Sequence, residues 1–247
     1  MNKAAANERY LAAGLCVLFF LLAQTFQEIA YWRWIPTSQN AEQDLIIYLM
    51  PVDKIRAYLV MSSILSLLVA YVVVALRYYR VAPVLSVLGL IFGTAFVGFE
   101  VSARSFEIFV IGQRWAQQFH ASSDAAERGL ILGRFVAWTE AVRGWYFLQM
   151  LSHLLAALLF GLATMKDREP WRRLATLAFF LNALRLLGRL LSTYGGQIWL
   201  AGLNDKFYFP AVALINGMVV VWFFHLAASS EVAEPAWSSD SSAGRAS

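Results

Sequence analysis

The sequence predicts an all-α integral membrane bundle of six transmembrane helices with both termini cytoplasmic, and three observations carry that prediction. First, 60% of the 247 residues are apolar and only 15% are charged, where a soluble domain is roughly 45–50% apolar. One core cannot hide that excess, so much of the surface must meet lipid. Second, the apolar residues gather into six runs near the length of about 20 residues that an α-helix needs to cross a hydrocarbon core of roughly 30 Å. Third, Lys and Arg are biased toward the short loops on one side of these runs. The same composition argues against a soluble enzyme, a disordered regulator or a free-standing nucleic-acid-binding domain. The net charge of +4 comes without a dense basic run, so it reports topology and no nucleic-acid partner.

The spans fall near 10–31, 57–77, 83–112, 130–165, 171–194 and 208–228. The first follows Lys3 and Arg9; it runs past signal-peptide length with no convincing small-x-small cleavage site, and reads as an uncleaved span. Ala57 to Leu76 carries no charge and is bracketed by Arg56 and Arg77. The third run opens with Pro83, a good first-turn residue, and is free of charge until Glu100. Lys166-Asp-Arg-Glu-Pro-Trp-Arg-Arg173 makes a polar turn between the fourth and fifth runs, a helical hairpin. The two short loops, with Arg77 and Arg80 in one and Lys166, Arg168, Arg172 and Arg173 in the other, share a side with the N-terminus. The positive-inside rule makes that side cytoplasmic. The opposite loops are expected at 32–56, 113–129 and 195–207. Trp32, Trp34, Trp115, Trp171 and Trp199 stand near span ends, where an aromatic belt would place them. Residues 1–228 thus form the transmembrane domain, and the Ser-, Ala- and acid-rich residues 229–247 are expected as a disordered cytoplasmic tail.

Ionisable groups inside spans cost about 2.5–3.5 kcal/mol each on insertion scales, and each calls for a reason. At about 1.5 Å per residue, Asn182 and Asn216 fall a little to the cytoplasmic side of the midplane and His153 and Arg185 a little beyond it. Gln24, Glu28, Glu100 and Arg189 lie farther out, and Arg104, Glu107, Glu140 and Arg143 at or past the outer interface. The cytoplasmic half is therefore dry, and the outer half can hold a pocket open to the outside. Glu100, Arg104 and Glu107 make one helical stripe at i, i+4 and i+7, Arg185 and Arg189 are at i, i+4, and Glu140 and Arg143 at i, i+3.

These spacings leave two readings open. If every stripe faces inward, Glu28, Glu100, Glu107 and Glu140 can balance Arg104, Arg143, Arg185 and Arg189, and the cluster fixes helix register alone. Alternatively Arg185 and Arg189 hold the carboxylate or phosphate of an amphipathic small molecule, with Glu100, Arg104, Glu140, Arg143, His153 and Asn216 around it, since arginine binds such groups bidentately and stays charged when buried. A different class, an intramembrane enzyme acting on a lipid or isoprenoid, would need a glutamate in a dry aromatic pocket, for which Glu100, Glu140 and Glu28 are the candidates. A third reading is a structural subunit of a larger membrane complex. The partners expected are therefore membrane lipid, an anionic or amphipathic small molecule, or other membrane proteins.

No cofactor or metal site is expected. The single cysteine, Cys16, lies in an apolar run and allows neither an intramolecular disulfide nor a cysteine-based metal site. His153 and His225 lie at different depths, which fits a bis-histidine haem poorly. His153 is read as hydrogen-bonded to a neighbouring helix. HExxH, DxxD, GxSxG and phosphate-binding glycine-loop patterns do not occur. Gly89, Gly93, Gly98 and Gly188 are read as close helix-packing positions.

The order of Gly98-Phe-Glu100-Val-Ser-Ala-Arg104, Val142-Arg-Gly-Trp-Tyr-Phe147, the basic hairpin around Arg172 and Phe209-Pro-Ala-Val-Ala-Leu-Ile-Asn216 resembles the bacterial six-span family called domain of unknown function 4386, over about residues 10–225. Glu100 precedes Arg104 here, whereas an arginine precedes the glutamate in that family's third-span motif. The resemblance implies the six-span fold and a bacterial inner (plasma) membrane, and no catalytic role.

Overall fold

The computed structural model describes the backbone of residues 3–229 and all of their side chains except those of residues 3–6, 198, 204 and 205. Apart from Ser229, the tail expected at 229–247 lies outside the described residues. The elements are α1 (Lys3–Arg33), α2 (Ala41–Ile47), α3 (Pro51–Tyr78), α4 (Pro83–Ser105), a π-helical segment Phe106–Trp115, α5 (Ala116–Ala121), α6 (Ala125–Thr164), α7 (Arg172–Thr193) and α8 (Ile198–Ser229). Six helical stretches, each beginning or ending within these bounds, are long and apolar enough to cross a membrane. The chain is a multi-pass, all-α membrane protein.

Local chemistry sets the helix ends. Pro51 and Pro83 occupy first-turn positions of α3 and α4, where a missing N–H costs nothing. The Asn40 side chain accepts from the Gln43 N–H, and the Gln43 side chain accepts in turn from the Gln39 N–H, a reciprocal cap that starts α2. Asp124 caps α6 through the Ala126 N–H. Gly196, with φ of +69°, makes the left-handed turn between α7 and α8 that a residue with a Cβ would resist.

The six spanning helices form a ring. Each packs on its neighbours in the chain, α1 on α3, α3 on α4, α4 on α6, α6 on α7 and α7 on α8, and α8 closes back on α1. At one end the termini and two short loops are tied together: Arg77 donates to Asp167 at 2.7 Å and to the Tyr10 hydroxyl at 3.2 Å, and His225 stacks on Trp171 and lies 3.7 Å from Glu169. Burial would push the Asp167 carboxyl up, but Arg77 and the N–H groups of Glu169 and Arg168 outweigh it and hold the group below the usual aspartate range. Above this end the ring is filled. Tyr78 stacks on Trp222, Tyr71 on Phe160, and Phe160 packs on Phe179. A Cβ on Gly89 would come within 2.8 Å of the Phe160 ring, and one on Gly93 within 2.9 Å of Tyr71, so these glycines do bring helices close. Gly98 meets nothing within 4 Å and has no such role.

The opposite, distal end differs from expectation. Residues 113–129 are helical except for 122–124, because the third run continues through the π-helical segment into α5 and α6 begins at Ala125. At 40 residues, α6 is about 60 Å long, roughly twice a hydrocarbon core. Its first turns and α5 project as a hairpin that, with α2, buries Leu45, Ile111, Phe119, Ile131 and Phe135 in a small core of its own. Trp115 packs edge-on against Phe106 in this lobe. The expected loop 195–207 shrinks to a four-residue connection, 194–197, before α8. Residues 51–56 belong to α3, so Lys54 and Arg56 are helical residues and not loop residues.

Candidate functional site

Between the filled end and the distal end the ring encloses a cavity of 1160 Å³ lined by all six spanning helices; small-molecule sites typically span roughly 300–1,000 Å³. Its inner part is apolar, with Ile64, Tyr71, Val74, Phe179 and Phe223 in the wall. Farther out the wall carries Gln24, Gln149, His153, Asn182, Arg185 and Arg189. A dry half toward the termini and a polar half away from them is the division expected from residue depths.

The polar wall is built by a hydrogen-bonded relay from α7 to α6. Asn182 Oδ1 accepts from Arg185 Nε and Nη2 at 3.2 and 3.0 Å. Arginine can only donate, which fixes the Asn182 amide so that Nδ2 faces His153 Nε2 at 3.0 Å. His153 Nε2 is then an acceptor and the ring carries its proton on Nδ1, with one face stacked on Phe96 at 4.0 Å. His153 thus bonds a neighbouring helix, as its sequence position suggests. The guanidinium groups of Arg185 and Arg189 lie 5.6 and 5.1 Å from the Tyr208 ring, a cation–π arrangement that leaves donors facing the cavity. Among the described residues no carboxylate comes within 4.0 Å of either arginine.

The acids are taken up elsewhere, so the balance of four acids against four arginines does not form. Arg104 bonds Glu100 Oε1 at 2.9 Å and Glu107 Oε2 at 2.7 Å, and the Tyr146 hydroxyl donates to Glu107 Oε1 at 3.3 Å. Among the described residues the Glu140 and Arg143 side chains form an ion pair only with each other, at 3.4 Å, and both are exposed. Of the expected site residues, Glu28, Glu100, Arg104, His153, Arg185, Arg189 and Asn216 line the cavity, while Glu140 and Arg143 stand outside it. Glu28 lines an exposed edge, and the Asn216 amide donates back to the Val212 carbonyl of its own helix.

Sequence reasoning missed a second buried ion pair. Arg56 bonds Asp53 through Nε and Nη2, both at 2.8 Å, and donates to Gln27 at 3.1 Å; the Asp53 and Arg56 side chains are only 4% exposed. Their i, i+3 spacing just after Pro51 was the available signal. Tyr146 and Tyr208, at the edges of apolar runs, were also not anticipated. Two buried acceptors in the cavity wall, Glu100 Oε2 and Gln149 Oε1, have no hydrogen-bond partner among the described residues. Compared with family models, curated proteins and solved structures, the chain finds no match.

Proposed function

We propose that this protein binds an anionic, amphipathic small molecule in the axial cavity, with Arg185 and Arg189 on its acid group and the apolar wall around the rest. The observation that carries this reading is a pair of arginines lining a cavity with, among the described residues, no carboxylate within 4.0 Å of them. A half-buried guanidinium inside a span with no counter-charge beside it is costly, and a ligand that supplies one removes the cost. The loop bias of Lys and Arg supports both termini being cytoplasmic, so the cavity's polar half faces outward. A bacterial inner membrane and the likeness to the six-span family of unknown function belong to the same proposal.

The test is mass spectrometry of what accompanies the gently solubilised protein, wild type beside Arg185→Met, matched for yield and folding. A stoichiometric small molecule in the wild type and absent from the variant is expected. Identical, ligand-free spectra would return the cavity to a purely structural role.

One observation favours a second reading, the intramembrane enzyme. Of its three candidate acids, Glu100 alone is buried in the cavity wall, with Oε2 unpartnered. Under that reading Glu100→Gln abolishes turnover of a lipid or isoprenoid substrate while the fold and the anion site persist.

A further inference from the structure

The cavity's walls are unequal in a way that bears on how a ligand enters and how it lies. On the side of α3, α4 and α6 the distal end is closed by ionic contacts. Arg56 holds Asp53 and Gln27, Arg104 holds Glu100 and Glu107, and Tyr146 holds Glu107. Asp53, Arg56 and Glu107 are buried yet line none of the cavity, whose wall on this side stops at Val60 on α3 and Arg104 on α4. On the other side the wall runs out to the surface. Glu28 and Tyr31 on α1, Leu184 and Thr193 on α7, and Leu203 and Phe207 on α8 all line the cavity and are exposed.

Three of those rim residues, Leu184, Leu203 and Phe207, are apolar and 46–66% exposed, on helices that meet lipid. Among the described rim residues the mouth is therefore mostly apolar along α7 and α8, with polar groups at Glu28, Tyr31 and Thr193. Part of its edge, residues 198–209 of α8, lies between Gly196 and Pro210. Proline removes the hydrogen bond to the preceding turn, so this arm has a natural pivot at each end. Charge is ordered along the cavity as well: an acid at the rim, two cations deeper, neutral amides beside them, and an apolar floor. Glu28 adds one negative charge, Glu100, Arg104 and Glu107 together leave one more, and Arg185 and Arg189 carry two positive charges. These charges cancel, so one acid group on the ligand leaves an excess of a single negative charge at the two arginines, whereas a dianion would leave two and meet Glu28 and Glu100 without further cations.

Resting on the reading above, we infer that the ligand is a monoanionic amphiphile taken sideways from the bilayer through the mouth between α1, α7 and α8, its acid group on Arg185 and Arg189 and its apolar end on the floor beside Tyr71 and Phe223. An apolar chain gains little by leaving lipid for an apolar wall, because both are equally free of water. The selective force is the bidentate, charge-assisted contact at the head, which hydrocarbon does not offer. A water-borne carboxylate would have to pass the apolar rim without a tail to hold it there.

The full chain in phosphatidylcholine vesicles is photolabelled with palmitate carrying a diazirine at its terminal carbon, or at a carbon next to the carboxyl, and the adducts are mapped by peptide mass spectrometry. The terminal probe labels the floor segments 70–74 and 219–223, and the head probe labels α7 and α8 near Gly188 and Tyr208. Unlabelled palmitate displaces both and hexanoate does not. Arg185→Gln with Arg189→Gln lowers both signals at least tenfold. Ala157→Phe, which fills the inner wall without touching the arginines, lowers the terminal signal several-fold and serves as the check if the double variant does not fold. Equal displacement by hexanoate, or floor labelling by the head probe, overturns the route or the orientation and leaves an anion site standing. Labelling confined to lipid-facing positions such as Leu177, unchanged in every variant, overturns the anion site as well.

Discussion

Two arginine clusters in this ring share a helical spacing and differ in everything else. On α4, Arg104 sits four residues after Glu100 and three before Glu107 and is clasped by both carboxylates. On α7, Arg189 sits four residues after Arg185, and between them they have an asparagine oxygen and the face of Tyr208. The first cluster closes its charges within one helix and joins α6 through Tyr146. The second leaves its charge facing a cavity. A charged residue inside a span that has found its counter-ion argues for architecture, and one that has not argues for a ligand.

That contrast is open to attack by substitution. The largest effect is expected at Arg104: Arg104→Met leaves two buried carboxylates without a cation and costs about 3–5 kcal/mol, seen as loss of the folded elution peak or a large drop in thermal midpoint. If Arg104→Met folds as well as wild type, the α4 cluster is not the structural one. Arg56→Met, which strands buried Asp53, is expected to fall in the same range.

The Arg77–Asp167 pair at the terminal end is smaller, and pH reads it. The Asp167 carboxyl is held below the usual aspartate range, so its contribution is present above the unfolded value and is lost as pH falls through the lowered folded value. Asp167→Asn should cost about 1–3 kcal/mol at pH 7 and flatten the fall in stability between about pH 4 and the acid end. An unaltered acid profile in the variant would assign that fall to other carboxylates. Smallest of all is Glu140→Gln, expected within about 0.5 kcal/mol of wild type, because the Glu140–Arg143 pair is solvated on both sides. A loss near that of Arg104→Met would show that this pair packs against something, and would blur the contrast between the clusters.

The six spans, the dry half and the inward stripe of Glu100, Arg104 and Glu107 were legible because each depends on composition or helical period, which a sequence displays directly. Helix rotation between elements is not displayed there. It turns Glu140 and Arg143 out of the ring although their spacing matches that of buried pairs elsewhere, and it leaves Arg185 and Arg189 without the acids that a count of charges assigns them. The Asp53–Arg56 pair, although its i, i+3 spacing after Pro51 is visible, was passed over for another reason: a charged first turn reads as loop when spans are found by their apolar stretch. The projecting hairpin escaped in the same way, since Gln113, Arg114, Gln117 and Gln118 look like the end of a span and are instead a helix continuing past it.

The most direct measurement is the thermal midpoint of Arg185→Met beside wild type, both stripped of co-purifying small molecules and in one detergent. An arginine kept for a ligand and not for the fold is a strain on the empty protein, so the account predicts an unchanged or higher midpoint, together with loss of anion binding. A fall as large as that of Arg104→Met would mean that Arg185 is bound into the structure as tightly as Arg104, and would contradict the division between the two clusters.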